Sequence, residues 1–467
     1  TRWLRQRMLA RLLAVPPHRP AASGTGDLVG RLTAQAADAG QAGPALVLAA
    51  LSWLPSAGSL VALAWLDPRL AIAFGAGTVA VGLVLRAFGR RASDAAAHYL
   101  SAQSDIAQRL TEALAGARTI AAAGTQEREH RRILTPLREL GRHGVRSWRL
   151  LATASAQAAL VAPLVQIAVV GTGGWALAAG HLTAGQLFAA SQYAAMGTGF
   201  GALVGQLQQV ARARAGTRRV GAVFDVEPLR FGRTTLPPGP GVLRLTGVTV
   251  RESGATLLDD VDLSIPGGST VAVVGTSGAG KSTLAAVVGR LRDPDAGTVR
   301  LDGVALPDLT EAALRAAVGL AFERPVLVGR TIADALGEQG DPDRAPAALR
   351  DAAADRFVAM LPDGVDTTLD AAPLSGGERQ RLGLARLRPG NRVVVLDDAT
   401  SSLDTVTEMQ VSRAQLAGPC RTRLIVTHRP AVAARAELVV WLDAGRVRAV
   451  GPHTTLIGDP AYRKVFA

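Results

Sequence analysis

The sequence predicts two bodies in series: a bundle of membrane-crossing helices, then an α/β domain built on a parallel sheet. Three observations carry this. Long apolar spans are confined to the first half, arginines crowd one set of the connections between them, and the second half alternates short apolar strands with helical segments around a glycine-rich turn. Strands that alternate with helices pair in parallel, because each crossover helix returns the chain to the same end of the sheet.

The bulk numbers agree with a membrane component. At 467 residues the chain has room for about two to three domains. It is 48% hydrophobic and only 19% charged, which is greasy for a wholly soluble protein. The net charge is +13, and Lys281 and Lys464 are the only lysines, so the basicity is arginine. Such an excess could serve nucleic acid or membrane topology, and its location decides. Cys420 is the single cysteine, which excludes a disulfide framework and a cysteine-rich metal site. That suits a soluble part in a reducing cytosol. The chain starts at Thr1, and no secretory signal pattern opens it.

Residues 1–43 are rich in arginine (Arg2, Arg5, Arg7, Arg11, Arg19, Arg31) and broken by Pro and Gly. Two apolar spans follow, 44–66 and 69–88, separated only by the hairpin Asp67-Pro68-Arg69. Each approaches the ~20 apolar residues a bilayer core requires. Residues 86–149 are polar with helical spacing and carry many arginines, among them Arg109, Arg131, Arg132 and Arg142. Spans 151–179 and 183–207 are rich in Ala and Gly, small residues that let helices pack closely in lipid. Their connection is nearly uncharged. The arginines therefore sit on one side, the positive-inside pattern, which places 1–43, 86–149 and the C-terminal half in the cytosol. Buried helices of a large soluble protein would not show two hairpins with one-sided arginine.

After a Pro/Gly linker, TTLPPGPG at 234–241, the α/β pattern begins. VAVVGTSGAGKST (271–283) reads as a buried strand, a glycine-rich turn and a helix. It fits GxxxxGK[ST] through Gly275, Gly280, Lys281 and Ser282. In this pattern the backbone N–H groups of Gly275, Thr276, Ser277, Gly278, Ala279 and Gly280, with Lys281, Ser282 and Thr283, surround one anion. Lys281 neutralises β/γ-phosphate charge and Ser282 ligates Mg²⁺. Further on, RVVVLDDATSSLD (392–404) runs four apolar residues into two acids, Asp397 and Asp398. The run suits a strand buried on both faces. Adjacent carboxylates at its end need a compensating cation. Asp397 is expected to hold Mg²⁺, and Asp398 to orient or deprotonate the water that attacks the γ-phosphate.

Between these motifs lies PLSGGERQRLGLAR (373–386). With GTSGAGKST before it and VVVLDD, SSLD and LIVTHR after it, residues 241–467 resemble the nucleotide-binding domain of ATP-binding cassette (ABC) transporters. The preceding spans resemble the exporter-type membrane domain. The resemblance implies an α-helical transmembrane domain plus an α/β P-loop NTPase, with a RecA-like core and a helical subdomain. The expected boundaries are 1–225 for a partial membrane domain, 226–240 for a linker and 241–467 for the cassette. It also implies a multi-pass protein of the cell (inner) membrane with a cytoplasmic cassette, and an ATPase cycle that uses ATP and Mg²⁺. Two ATP molecules would lie between two cassettes, and Ser375, Gly376, Gly377 and Glu378 would serve the partner's ATP. His428 resembles the switch histidine at the γ-phosphate. The implied partners are a second ABC half-transporter, the lipid bilayer and a small-molecule, lipid or peptide substrate, with no nucleic acid. Residues 26–33 and 111–129 resemble cytoplasmic loops of the family, and 180–193 the approach to its last helix.

The sequence also departs from the family. Asp398 stands where the catalytic acid is usually Glu, and Glu323 where Gln is usual, though Glu323 can still ligate the metal. Glu252 stands near the position of an adenine-stacking aromatic. DTTLDAAPLSGG lacks a charged Glu-Arg-Gly element, and the link from signature to strand, LARLRPGNR, is short. Four spans are present of the usual six, so two more are expected upstream. These departures favour the degenerate-site half of a heterodimer, with own-site activity expected low. The alternatives are an ATP-binding regulatory subunit that hydrolyses poorly and, less favoured by the four spans, a soluble cassette ATPase acting on nucleic acid.

Overall fold

The structure is a computed structural model that describes residues 1–16, 25–198, 200–337, 344–417 and 421–466. Arg19, Cys420 and residue 199 of the span expected at 183–207 lie outside them. The chain divides into two compact units, with the division between Pro228 and Leu229.

The first unit is helical. It comprises α1 (Arg2–Ala14), α2 (Thr25–Gly30), a π-helical segment (Arg31–Gln35), α3 (Ala36–Gly40), α4 (Ala42–Leu51), α5 (Leu54–Leu66), α6 (Pro68–Ala115), α7 (Ala117–Ala123), α8 (Gln126–Leu134), α9 (Leu137–Ala178), α10 (Ala184–Gly197) and α11 (Phe200–Phe224). Residues 26–33, which resemble a loop of the family, are thus helical. The hairpin at Asp67-Pro68-Arg69 forms as the sequence suggests. Asp67 is extended, caps α6 by accepting from Arg69 N at 2.8 Å, and Pro68 fills the first helical turn, where its missing N–H costs nothing. At the other hairpin α9 stops at Gly180, whose φ of 78° suits glycine. The amides of Gly180 and His181 close on Leu177 O and Ala176 O, a Schellman ending. Thr183 and Gln186 then cap α10 reciprocally.

Small residues set the helix spacing. A Cβ on Gly77 of α6 would lie 2.1 Å from Val165 Cγ2 of α9, and one on Gly197 would lie 2.5 Å from Phe74 Cζ. Leu63, Leu70, Phe74, Val165, Val169 and Ala190 form the inner core. Large apolar side chains face outward instead: Trp65 is 90% exposed, Ile72 71% and Ile167 68%. A surface so apolar matches lipid, not water. Among the described residues two helical stretches are long and apolar enough to cross a membrane, Gly26–Leu66 and Gln126–Ala178. Only 17% and 22% of their most apolar windows are buried, unlike core helices of a soluble protein. Spans 69–88 and 183–207 also lie in helices, within α6 and across α10 and α11.

The second unit is α/β. Its strands are β1 (Leu243–Glu252), β2 (Ala255–Ile265), β3 (Thr270–Val274), β4 (Ala296–Leu301), β5 (Val304–Ala305), β6 (Val318–Phe322), β7 (Val393–Asp397), β8 (Thr422–Val426), β9 (Leu438–Asp443) and β10 (Arg446–Gly451). The main sheet has the order β10-β9-β3-β8-β7-β6 and is parallel except for β10. A second, four-stranded antiparallel sheet, β2-β1-β4-β5, completes the unit. The expectation of one parallel sheet missed it.

The apolar run of β7 is explained by two cores. Val393 and Val395 join the cluster that includes β1, β2 and the helix α12 (Lys281–Val288), while Val394 and Leu396 join a second cluster. That second cluster contains the short helices α14 (Ile332–Leu336), α15 (Arg344–Asp351), α16 (Asp355–Ala359) and α17 (Gly376–Ala385); α13 (Glu311–Ala317) precedes β6. A strand with both faces buried has no room for a polar residue until it ends.

Candidate functional site

Parallel register gathers the predicted residues at one sheet edge. Phe322 of β6 pairs with Asp397, and Asp397 pairs with Val426 of β8. The next residues on those strands are Glu323, Asp398 and Thr427, followed by His428. Val273 of β3 pairs with Val426, so the turn after β3 opens beside them. This is the carboxyl end of the strands, where open α/β sheets bind ligands.

The turn 275–280 is shaped by close approach. A Cβ at Gly275 would lie 2.3 Å from Leu442 O, and one at Gly280, whose φ is 97°, would lie 2.6 Å from Leu257 O. Thr276, Ser277 and Gly278 form an exposed crest, and Ala279 N returns to Thr276 O. Lys281, buried, donates from Nζ to Gly275 O at 2.8 Å and to Thr276 O at 2.9 Å. Burial pushes its pKa down, while Asp398 and Asp397 pull it back up. Ser282 Oγ donates to Asp397 Oδ1 at 3.0 Å, so the two residues expected to share a metal already touch. Thr283 follows on α12.

Burial pushes the Asp397 carboxyl up from its ordinary value; the Ser282 hydroxyl and Lys281 lower it, and Asp398 and Glu323 raise it further. Asp398 is also raised by burial, against the pull of His428 and Lys281. Two partly buried aspartates, with the exposed Glu323 nearby, make this edge acidic despite Lys281, and a bound cation would relieve their repulsion. Carboxylate and hydroxyl oxygens suit a hard ion such as Mg²⁺. Asp398 has a left-handed φ of 48°, a conformation that Asp tolerates better than most residues, and its N–H donates to Val426 O at 3.2 Å. His428 Nε2 lies 3.6 Å from Asp398 Oδ2.

Ser375 begins α17 as its cap. Glu378 N donates to Ser375 Oγ at 3.3 Å, and Ser375 N donates to Glu378 Oε2 at 2.7 Å. Glu378 is therefore engaged in a capping box, and the free N–H groups at this helix start belong to Gly376 and Gly377. Among the described residues no hydrogen bond or ion pair joins 375–378 to 275–283, so the signature and the glycine turn are separate surfaces.

Comparison with known proteins identifies the family. A profile described as ABC transporter matches residues 258–401, and one described as ABC transporter transmembrane region matches 1–199. The chain is 49% identical to the ABC transporter ATP-binding protein RamA of Streptomyces coelicolor, over 99% of this chain and 74% of that protein. The chain belongs to the ABC transporters. It is also 29% identical to an ATP-dependent lipid A-core flippase of Albidiferax ferrireducens, over 98% of this chain and 81% of the flippase. Its fold is that of a bacterial Atm1-family ABC exporter solved with ATP bound, at a TM-score of 0.87 and 24% identity over 100% of this chain and 84% of the exporter. In this ABC transporter a helical transmembrane region precedes an ATP-binding ATPase domain.

The motifs did not reveal every polar link of this ABC cassette. Gln380, on α17, bridges Glu323 O, Ser401 Oγ and Ser402 N. Arg429, next to His428, donates to Ser401 O and Leu403 O and pairs with Glu408. Glu252, noted for the missing aromatic, accepts from Arg292 Nη1 at 2.8 Å. The short link before β7 is closed by Asn391, which accepts from Arg388 N and donates to Ala316 O.

Proposed function

We propose that this ABC transporter is one half of a dimeric exporter whose own ATP site is weakened while its signature serves the partner's site. The phosphate turn 275–283 binds ATP, and Lys281 faces the β/γ-phosphates. Ser282 and Asp397, with Glu323, hold Mg²⁺, and the cassette lies on the cytoplasmic side. Asp398 with His428 forms the hydrolytic pair. The observation that carries the reading is Asp398 itself. It directly follows the buried strand, 3.6 Å from His428, and is one methylene shorter than the usual Glu. Its carboxylate falls about 1–1.5 Å short of the attacking water, and a shift of about 1 Å costs on the order of 100-fold in rate. The signature, by contrast, is intact in sequence and geometry. That asymmetry supports a heterodimer.

Relatives carry names of lipid flippase and multidrug efflux proteins. Together with the weakly charged spans, they support an amphiphilic or apolar small molecule as substrate. The test is steady-state phosphate release by the full chain in nanodiscs. Slow turnover is expected, and Asp398→Glu should raise kcat about tenfold or more. Ordinary exporter turnover by the chain alone would refute the weakened site. Tight nucleotide retention with no gain from Asp398→Glu would point instead to a regulatory subunit.

A further inference from the structure

We propose that Gln380 is a positioning residue that ties the acids of this chain's own nucleotide site to the signature offered to a partner. The inference rests on the function proposed above. Gln380 lies on α17, beyond the cap Ser375, and is 2% exposed. Nε2 donates to Glu323 O at 2.8 Å and to Ser401 Oγ at 2.9 Å, and Oε1 accepts from Ser402 N at 2.9 Å. The orientation of the amide is dictated by its partners. Flipped, Oε1 would face a carbonyl and Nε2 an N–H, two repulsions in place of two bonds.

These partners belong to the site. Glu323 directly follows β6 and is expected to face the metal, while Ser401 and Ser402 lie in the loop that leaves Asp398. One buried side chain thus joins the signature helix to both segments that end beside the phosphate turn. The same loop is gripped from its other side by Arg429, which follows His428 and donates to Ser401 O at 2.9 Å and Leu403 O at 3.3 Å. The first turn of α17 rests on it too, since a Cβ on Gly377 would lie 3.1 Å from Ser402 O. Separating any of these pieces would strand a buried donor or acceptor, which costs more than the bond itself contributes. A movement of Glu323 or of the loop after Asp398 therefore carries the start of α17 with it. Nucleotide in this chain's site would reach the signature by that route.

Two variants separate this link from mere packing. Gln380→Glu still accepts from Ser402 N and can take a bond from the Ser401 hydroxyl, but cannot donate to Glu323 O. Gln380→Met keeps the length and loses all three bonds. The full chain in nanodiscs is followed by amide hydrogen exchange with and without Mg–ATP, alongside equilibrium ATP binding. In the wild type, nucleotide should slow exchange in both 275–283 and 374–382. In both variants 275–283 should respond as before, with ATP affinity within about twofold. The response of 374–382 should shrink about fivefold, the size of one net hydrogen bond. An undiminished response at 374–382 in both variants overturns the inference, as does a joint loss of both responses and of ATP binding, which would make Gln380 only a brace of the fold. A wild type whose 275–283 segment ignores Mg–ATP defeats the nucleotide reading itself, before any variant is made.

Discussion

Two ends of the cassette handle charge in opposite ways. At the sheet edge Asp397, Asp398 and Glu323 crowd together, and burial opposes the ionised form of both aspartates. At the start of α17 the one acid, Glu378, is engaged by its own cap, beside the two glycines of the first turn. In the first region burial and neighbouring acids work against the charge of the aspartates; in the second the one acid is already engaged by its own helix cap. That contrast supports the proposal that the first holds metal and nucleotide and that the second meets a phosphate held by a partner. Two departures from the family, Asp398 and Glu323, fall in the first region, while the five residues Leu374 to Glu378 of the second keep the signature pattern.

The largest effect should come from Lys281, the buried cation beside Asp397 and Asp398. Lys281→Ala removes the charge opposite the phosphates and should weaken ATP binding about 100-fold, as two charge-assisted bonds would. Radiolabelled ATP binding to the full chain measures it; affinity within a few fold of wild type would erase the proposed contrast. A smaller effect should follow at the other end. Gly377→Ala places a Cβ 3.1 Å from Ser402 O and crowds the first turn of α17. Own-site binding should hold while turnover of the assembled dimer falls about tenfold, read as kcat at unchanged KM. An equal fall in binding would show that the two ends are not separate surfaces.

The smallest effect concerns pH. Asp397 and Asp398 have pKa values raised above 3.8 in the folded chain. The folded state therefore holds their protons to higher pH than the unfolded state does. Their stabilising contribution is complete below about pH 3.8 and is lost as pH rises through the folded values. Without metal or nucleotide, Asp397→Asn should flatten that decline and raise the melting temperature near neutrality by a small amount. Calorimetry checks it; a lower melting temperature would mean that the acids are already compensated. The asparagine Oδ1 can still accept from Ser282, so the test isolates the charge.

What could be read from the sequence follows from how local each signal is. The phosphate turn, the run Val393 to Asp398 and the hairpin at Asp67 are short patterns in which neighbouring residues constrain one another, and their geometry was legible. The antiparallel sheet was not, because Leu243 pairs with both Ile265 and Leu301, and the second lies 58 residues away (301 − 243) beyond β2, β3 and α12, where no local pattern marks it. Gln380 was not legible either. A glutamine carries no charge or shape signal, and its partner Glu323 is 57 residues away. The RQR that follows the signature was the only hint.

The close crossing at Gly77 and Val165 has a mechanical result. Val165 leaves no room for even a methyl group on Gly77, so at this point of their long contact the two helices are held at backbone-to-side-chain distance. From Gly77 to Ala115 helix α6 extends about 57 Å. A tilt of about 5° at the crossing therefore swings the far, arginine-rich end by about 5 Å. At that length even a slight change of helix angle within the lipid is a displacement as large as a full helical turn at the far end.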